Sequence, residues 1–325
     1  MMERREKPSS PAFMENASPG SRLSRSPSPC HTVRISDRIA GSRDGRGGLK
    51  SPAGMPVASV LIRTLQLVGA KSMSAHDIFV VFIVLHIITG APGLIVFWVP
   101  VAARKGGKLH RLSGRLFAIA MLITALAAAI MSSLTLWQPM ETHPHLAEHA
   151  EFSDPALVRG IFGWMMLYLS ILTINLAWYG WRAAVNKHNH TRNRDWVNGM
   201  LQLVLLVASA QCALQGFNLG QPMMIGMSLV GFATVGTNLW FLLRRSPGPV
   251  EWLLEHIKAI VGTGISVYTA FFAFGAVRLV PELALAPVLW AVPLLIGLGL
   301  ILYYRRQVSR RFRVGKASRL ATYGH

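Results

Sequence analysis

Three histidines lie within or beside long apolar stretches of the sequence: His86, His110 and His256. An imidazole inside a membrane is costly to desolvate, so such a residue is often functional. Imidazole is also the usual axial ligand of haem iron and a common ligand of other metals. These residues therefore predict an intramembrane site for haem b or another metal. The alternative interpretation is that each ring only fixes helix packing through a hydrogen bond.

The depths of these histidines in their apolar stretches indicate which of them could share one metal. His86 lies eight residues from the outer end of its stretch, a depth of about 12 Å. His256 lies about four residues from the inner end of its own stretch, a depth of about 6 Å, and His110 lies at the inner edge. Two axial nitrogens on one metal are about 4 Å apart. We therefore expect His110 and His256 to form a pair and His86 to need another partner.

Two arginines, Arg111 and Arg115, follow His110 on the same predicted helix. The propionates of a haem would need such cations, so both are assigned to the predicted cofactor site. Anchoring to phosphate headgroups accounts for them equally well. The sequence has no C-x-x-C-H motif for covalent haem attachment.

A second group of histidines follows the second apolar stretch, where His143, His145 and His149 have the spacing H-x-H-x3-H among several glutamates. Imidazoles with carboxylates suit zinc or copper, so the three predict a metal site in this connection. Pro144 interrupts any regular helix there. A solvated acidic loop is the alternative.

The fourth apolar stretch has a polar side, formed by Asn198, Gln202, Ser209, Gln211, Gln215 and Asn218. Hydrogen bonds between helices explain such a side, whereas a hydrated path would indicate a transporter or a proton-coupled channel. The sequence contains no Walker A, H-E-x-x-H or G-x-S-x-G motif, so it predicts no particular enzymatic reaction. A membrane scaffold or sensor without chemistry is the third hypothesis.

The composition limits the class of protein in which these residues could act. Of the 325 residues, 52% are hydrophobic and 14% are charged, whereas a soluble domain has roughly 25% charged residues. This excludes a disordered chain and a disulfide scaffold, and it predicts a membrane protein. The net charge of +19 is divided among short connections and two tails. That distribution favours membrane lipids with anionic inner-leaflet headgroups as partners rather than nucleic acid.

Seven stretches are apolar and about 20 residues long, which is the length needed to cross the hydrocarbon core. The fold class expected is therefore all-α, an integral membrane bundle of about seven transmembrane helices. The predicted spans are Ile78–Ala102, Leu112–Trp137, Gly160–Trp181, Trp196–Leu214, Met223–Leu243, Trp252–Phe274 and Leu285–Tyr304.

The charges between the spans predict the orientation and the boundaries of the membrane domain. Lysine and arginine are concentrated in alternate connections and at the C-terminus, which places these segments in the cytoplasm of a multi-pass protein of the cell inner membrane. The membrane domain covers 77–306 and is followed by a basic cytoplasmic tail, 307–325. Before it come a basic tail at 1–54, predicted to be disordered, and an interfacial lead-in at 55–76. Translation from Met55 or Met73 is an alternative to the long tail.

One block of the sequence resembles a known family. The segment from Lys105 to Phe117 contains His-Arg-x-x-Gly-Arg-x-Phe after a basic loop, preceded by His86 in the first span. This is similar to the bacterial membrane family catalogued as domain of unknown function 2306. That family typically has a second block, His-Arg-x-Trp-Met, where this chain has Asn193 at the histidine position and Val197 at the methionine position. The resemblance covers roughly residues 77–306 and implies a multi-helix membrane bundle without an established activity.

Overall fold

The structure is a computed structural model of the chain that describes residues 74–148, 154–272 and 287–323. Within these ranges the regular elements are helices, and no strand is present. Short helical turns at Pro139–Thr142, Pro144–Glu148 and His190–Asn193 lie in the connections, and the third long helix includes a π-helical segment at Arg159–Met165. The long helices are α1 Ala75–Ala102, α2 Lys108–Trp137, α3 Pro155–Asn186, α4 Trp196–Asn218, α5 Pro222–Leu243, α6 Glu251–Ala270 and α7 Pro287–Tyr323.

Five helices, α1 to α5, are long and apolar enough to cross a membrane. Their outer faces carry large apolar side chains, including Ile88 at 65% exposure, Ile95 at 74% and Val207 at 61%. A water-soluble protein rarely exposes so continuous an apolar surface, whereas lipid tails solvate it. These features support an integral membrane protein. Within the described ranges α6 and α7 do not meet the same criterion, so the count of about seven spans remains a prediction.

The first five predicted spans agree with the observed helices, whereas the predicted C-terminal tail does not. Each of the first five predicted spans falls within the observed helix. Helix α7 continues past the predicted end of the seventh span and runs through the basic tail as far as Tyr323. The tail at 1–54, the alternative starts at Met55 and Met73 and most of the lead-in lie outside the described residues.

The starts of α1 and α4 are fixed by acidic and hydroxyl side chains that bind free backbone amides. Ser74 and Asp77 form a reciprocal capping box at the start of α1. Glu141, from the connection after α2, accepts a hydrogen bond from Ala75 N at 3.0 Å and ties that connection to α1. Asp195 caps α4 through Asn198 N and also pairs with Arg182 at the end of α3, at 2.7 Å.

Helix α3 lies at the centre of the bundle. In its most apolar window 56% of the residues are buried, against 11% for α1. One apolar cluster joins α3 to α4 and α5 through Tyr168, Leu205 and Met224. A second joins α1, α2 and α3 through Phe97, Phe117 and Ala177, and residues Ile260, Val267 and Tyr268 of α6 pack against it. Helices α1, α2, α3 and α6 therefore surround a common core.

Candidate functional site

His110 and His256 lie side by side where the ends of α1, α2, α3 and α6 meet. His110 is in the first turn of α2, and His256 is in the second turn of α6. The centroids of the two imidazole rings are 6.5 Å apart, and the ring planes are inclined at 76°. Both residues are partly exposed, so the pair is not sealed within the core. The structure thus brings together the two histidines whose depths matched in the sequence.

Each of these two rings is held by a backbone carbonyl from another helix. His110 Nδ1 lies 3.0 Å from Pro100 O of α1, and His256 Nδ1 lies 2.9 Å from Gly180 O of α3. A carbonyl only accepts, so Nδ1 is the protonated nitrogen in both rings. In the neutral rings Nε2 then carries the free lone pair, and no residue in the described ranges forms a hydrogen bond with either Nε2.

Pro100 O is available because it belongs to the last turn of α1, whose carbonyls have no intrahelical partner. Lys105 Nζ also donates to Pro100 O, at 2.9 Å, and to Val101 O. Tyr304 of α7 donates its hydroxyl to Val101 O at 3.1 Å. The free end of α1 is therefore saturated by side chains from the following loop, α2 and α7, and this network fixes the orientation of His110.

Gly180 O is reached by His256 because α3 and α6 approach closely at a residue without a side chain. A Cβ atom on Gly180 would lie 2.9 Å from Ala259 Cβ and 3.0 Å from two carbons of Ile260. Such distances are shorter than ordinary carbon contacts. The glycine therefore sets the distance between the two helices, and with it the position of His256.

A charged cluster next to His256 was not identified as a site in the sequence. Tyr179 donates its hydroxyl to Glu255 Oε2 at 2.8 Å, and Lys258 forms a salt bridge with the same oxygen. Lys258 also donates to Thr237 Oγ1 at 3.2 Å. The signal that could have revealed it is the spacing of three residues between Glu255 and Lys258 on one helix. Their pairing neutralises two charges that would otherwise be costly beside apolar helices.

The third histidine, His86, lies elsewhere. Its Nδ1 is 3.0 Å from Thr124 O of α2. His86 is 14 residues before Pro100, whose carbonyl holds His110, so the two sites are about 21 Å apart along α1. His86 does not join the pair, in agreement with the expectation from depth.

The two arginines after His110 are exposed. Arg111 donates to Gly106 O at 2.8 Å and so closes the loop before α2. Arg115 lies four residues further along the helix and has no hydrogen bond or ion pair within the described ranges. Their placement is compatible both with a ligand beside His110 and with headgroup anchoring.

The structure covers two of the three histidines in the connection after α2. His143 is buried, its Nδ1 lies 3.0 Å from Thr142 Oγ1, and its ring centroid is 6.0 Å from that of His145. His143 also packs against Phe79 and Phe162. His149 lies outside the described residues. Within the part of the chain that is described, no three His, Cys, Asp or Glu side chains group as metal ligands, so the predicted zinc or copper site remains a prediction.

One residue of the polar side of α4, Gln202, forms a hydrogen bond to a neighbouring helix. Asn238 Nδ2 of α5 donates to Asn175 Oδ1 of α3 and to Gln202 Oε1 of α4, each at 3.2 Å. All three side chains are buried, at 0% to 1% exposure. This amide triad joins three helices, which favours the packing interpretation of Gln202 over a hydrated path. Asn193, at the position of the family histidine, is likewise buried and accepts a hydrogen bond from Asn186.

No family model, no curated protein and no solved structure matches the chain. The resemblance to the family of domain of unknown function 2306 therefore rests on the sequence blocks alone and remains a prediction.

Proposed function

We propose that this integral membrane protein holds a redox metal centre between His110 and His256, with haem b as the cofactor. The observation that carries the proposal is the separation of the two rings. Two imidazole nitrogens that bind one metal from opposite sides lie about 4 Å apart, and each ring centre lies about one bond length further out. The expected distance between ring centres is thus about 6 Å. The observed distance is 6.5 Å.

The backbone contacts of the two rings support the same role. Histidine ligands usually donate their second N–H to a carbonyl or carboxylate, which fixes the tautomer and the ring orientation. Pro100 O and Gly180 O occupy this position for His110 and His256. Nε2 of each ring is left as the ligand atom, and no reorganisation of the protonation state is required.

The number of protein ligands favours haem over a single bound ion. A structural metal ion commonly takes four ligands, whereas the described residues group no more than two metal-ligating side chains here. Haem supplies most of the iron's ligands itself, so His110 and His256 would be the two residues that hold it. When bound, it supplies one-electron transfer. Arg111 and Arg115, exposed on the helix that carries His110, would pair with the propionates.

The amide triad gives Gln202, one residue of the polar side of α4, a role in helix packing. Its three side chains are buried and bond to one another, so they connect helices instead of lining an open path. The proposal is restricted to binding and electron transfer at the histidine pair.

The test compares wild type with His110→Ala, His256→Ala and the double variant, each purified in detergent. We expect reduced-minus-oxidised haem spectra in wild type, and loss of most of the bound haem in each single variant. The double variant should add little, because both residues serve one site. His86→Ala is the matched control, since it removes an imidazole with the same type of carbonyl bond about 21 Å away.

Three results would overturn the proposal. The first is a colourless, metal-free wild type from cells supplied with iron and haem precursor. The second is a His86→Ala variant that loses as much haem as His256→Ala. The third is retention of the full spectrum in the double variant. Metal content measured on the same samples distinguishes haem iron from a directly bound ion.

A further inference from the structure

At one end of the bundle, the loops of residues 187–195 and 244–250 border an open polar cavity of about 520 Å³. His190, Thr191, Arg194, Arg245 and Ser246 are among the residues that line it. The basic charge of the connections predicted only a general attraction to anionic headgroups. The proposed redox site does not use this cavity. Its chemistry is that of an anion site, for two independent reasons.

The first reason is the state of His190. Both its ring nitrogens are buried, and neither has a hydrogen-bond partner within the described ranges. The ring is held in place by Phe241, at a centroid distance of 4.8 Å and an angle of 78°. An imidazole always has at least one N–H to donate, and a buried donor without an acceptor costs free energy. A ligand acceptor in the cavity would remove that cost after a rotation of the ring that brings one nitrogen to the cavity surface.

The second reason is the local balance of charge. The nearby acidic groups are already engaged, because Asp195 pairs with Arg182 and Glu251 pairs with Arg244, each at 2.7 Å. Arg194 and Arg245 both border the cavity, and neither has an ion-pair partner among the described residues. Two exposed arginines therefore border the cavity, and no carboxylate among the described residues pairs with either of them.

We infer that this cavity binds a phosphate group, carried either by a phospholipid headgroup or by free phosphate. Phosphate offers several strong acceptor oxygens, which match two guanidinium groups and an imidazole N–H at once. Ser246, exposed beside Arg245, adds a hydroxyl donor. The loops connect the ends of apolar helices, α3 to α4 and α5 to α6, where headgroups of a bilayer lie.

The experiment titrates the purified full chain in neutral detergent by isothermal calorimetry. One arm uses inorganic phosphate, a second uses short-chain phosphatidylglycerol, and a third uses short-chain phosphatidylcholine. We expect Arg245→Gln to weaken phosphate or phosphatidylglycerol binding by at least about tenfold, the loss of one charge-assisted hydrogen bond. Arg192→Gln is the matched control, because it removes the same charge from the loop 187–195, which also contributes to the cavity, at a position that does not border the cavity. Its affinity should stay within about twofold of wild type.

His190→Phe separates a ligand contact from a packing role. The phenyl ring keeps the contact with Phe241 and removes the buried donor, so the melting temperature without ligand should be equal or higher. Binding should nevertheless weaken by about tenfold.

The outcome of the arms identifies the source of the phosphate group. Binding of phosphatidylglycerol but not of inorganic phosphate assigns the cavity to a headgroup, and tight binding of inorganic phosphate assigns it to a free anion. Equal binding of phosphatidylcholine and phosphatidylglycerol would overturn the inference, because the choline cation offsets the negative phosphate charge that the arginines should bind. The inference would also be overturned if Arg192→Gln and Arg245→Gln lost the same affinity for phosphate or phosphatidylglycerol, or if His190→Phe bound them as wild type does. The absence of binding in every arm would overturn it as well.

Discussion

Replacing Gly180 with alanine should force α3 and α6 apart. The new Cβ would lie 2.9 Å from Ala259 Cβ and 3.0 Å from two carbons of Ile260. Carbon atoms in contact normally lie about 3.5–4.0 Å apart, so the closest pair is too near by about 0.6–1.1 Å. Ala259 Cβ is attached directly to the backbone of α6, and a side-chain rotation therefore cannot relieve the clash.

Two terms set the size of the effect. Overpacking a well-packed interior costs about 1–3 kcal/mol of unfolding free energy. Replacing glycine with alanine within a helix raises the unfolding free energy by about 1 kcal/mol, because alanine has the higher helix propensity. Gly236→Ala in α5 isolates the steric term, because no atom lies within 4 Å of its ideal Cβ and it is about as far from its helix end as Gly180. We expect Gly180→Ala to be less stable than Gly236→Ala by about 1–3 kcal/mol.

The assay is reversible unfolding of both variants and wild type in the same bicelles. Gly236→Ala should equal or exceed wild type, and Gly180→Ala should fall below Gly236→Ala. The same displacement should lengthen the bond between His256 Nδ1 and Gly180 O, now 2.9 Å, and so broaden any haem spectrum of the variant. If Gly180→Ala proves as stable as Gly236→Ala, then glycine does not set the distance between these helices.

Two further predictions concern the amide triad and the orientation in the membrane. Asn238→Leu should lower the unfolding free energy by about 1–3 kcal/mol in the same assay, because the side-chain oxygens of Asn175 and Gln202 lose their donor. In a cysteine-free background, Ala156→Cys should react with an impermeant thiol reagent in intact cells and Lys108→Cys should not, because the basic connection is predicted to be cytoplasmic.

Each of these two predictions has a control. Asn218→Leu, at an exposed position near the end of α4, should change stability by no more than about 0.5 kcal/mol. If Asn218→Leu lowers the unfolding free energy as much as Asn238→Leu does, the hydrogen bonds of the triad contribute no specific stability. In permeabilised cells the reagent should label both cysteines. Labelling of only Lys108→Cys in intact cells would show that the predicted orientation is reversed. Ser113, although next to the basic loop, is unsuitable for this labelling because it is buried.

Hydropathy alone determined where the first five long helices lie. The predicted spans Ile78–Ala102 and Leu112–Trp137 end at the residues where α1 and α2 end. Their predicted starts are a few residues late, because the first turn of each helix is polar and contributes no hydropathy. In α1 that first turn is stabilised by the capping box of Ser74 and Asp77.

The sequence also placed His110 and His256 at similar depths, since residue number along a helix converts directly into distance. Depth does not determine the direction in which a side chain points. Tertiary packing decided that the two rings lie 6.5 Å apart and that His86 is held separately by Thr124 O. The family-like blocks likewise contained no information on Gly180, whose missing side chain sets the approach of α6.

The partners of the polar groups were decided by tertiary structure alone. His110 and His256 bind backbone carbonyls, and every residue has a carbonyl, so no sequence pattern marks the one that is used. Only the meeting of two distant loops shows that, among the described residues, the ring nitrogens of His190 have no hydrogen-bond partner and Arg194 and Arg245 have no ion-pair partner. The sequence determined which segments are apolar enough to cross a membrane, because that depends on summed apolar transfer energy. The contacts that could do chemistry depend on how the helices are rotated and spaced.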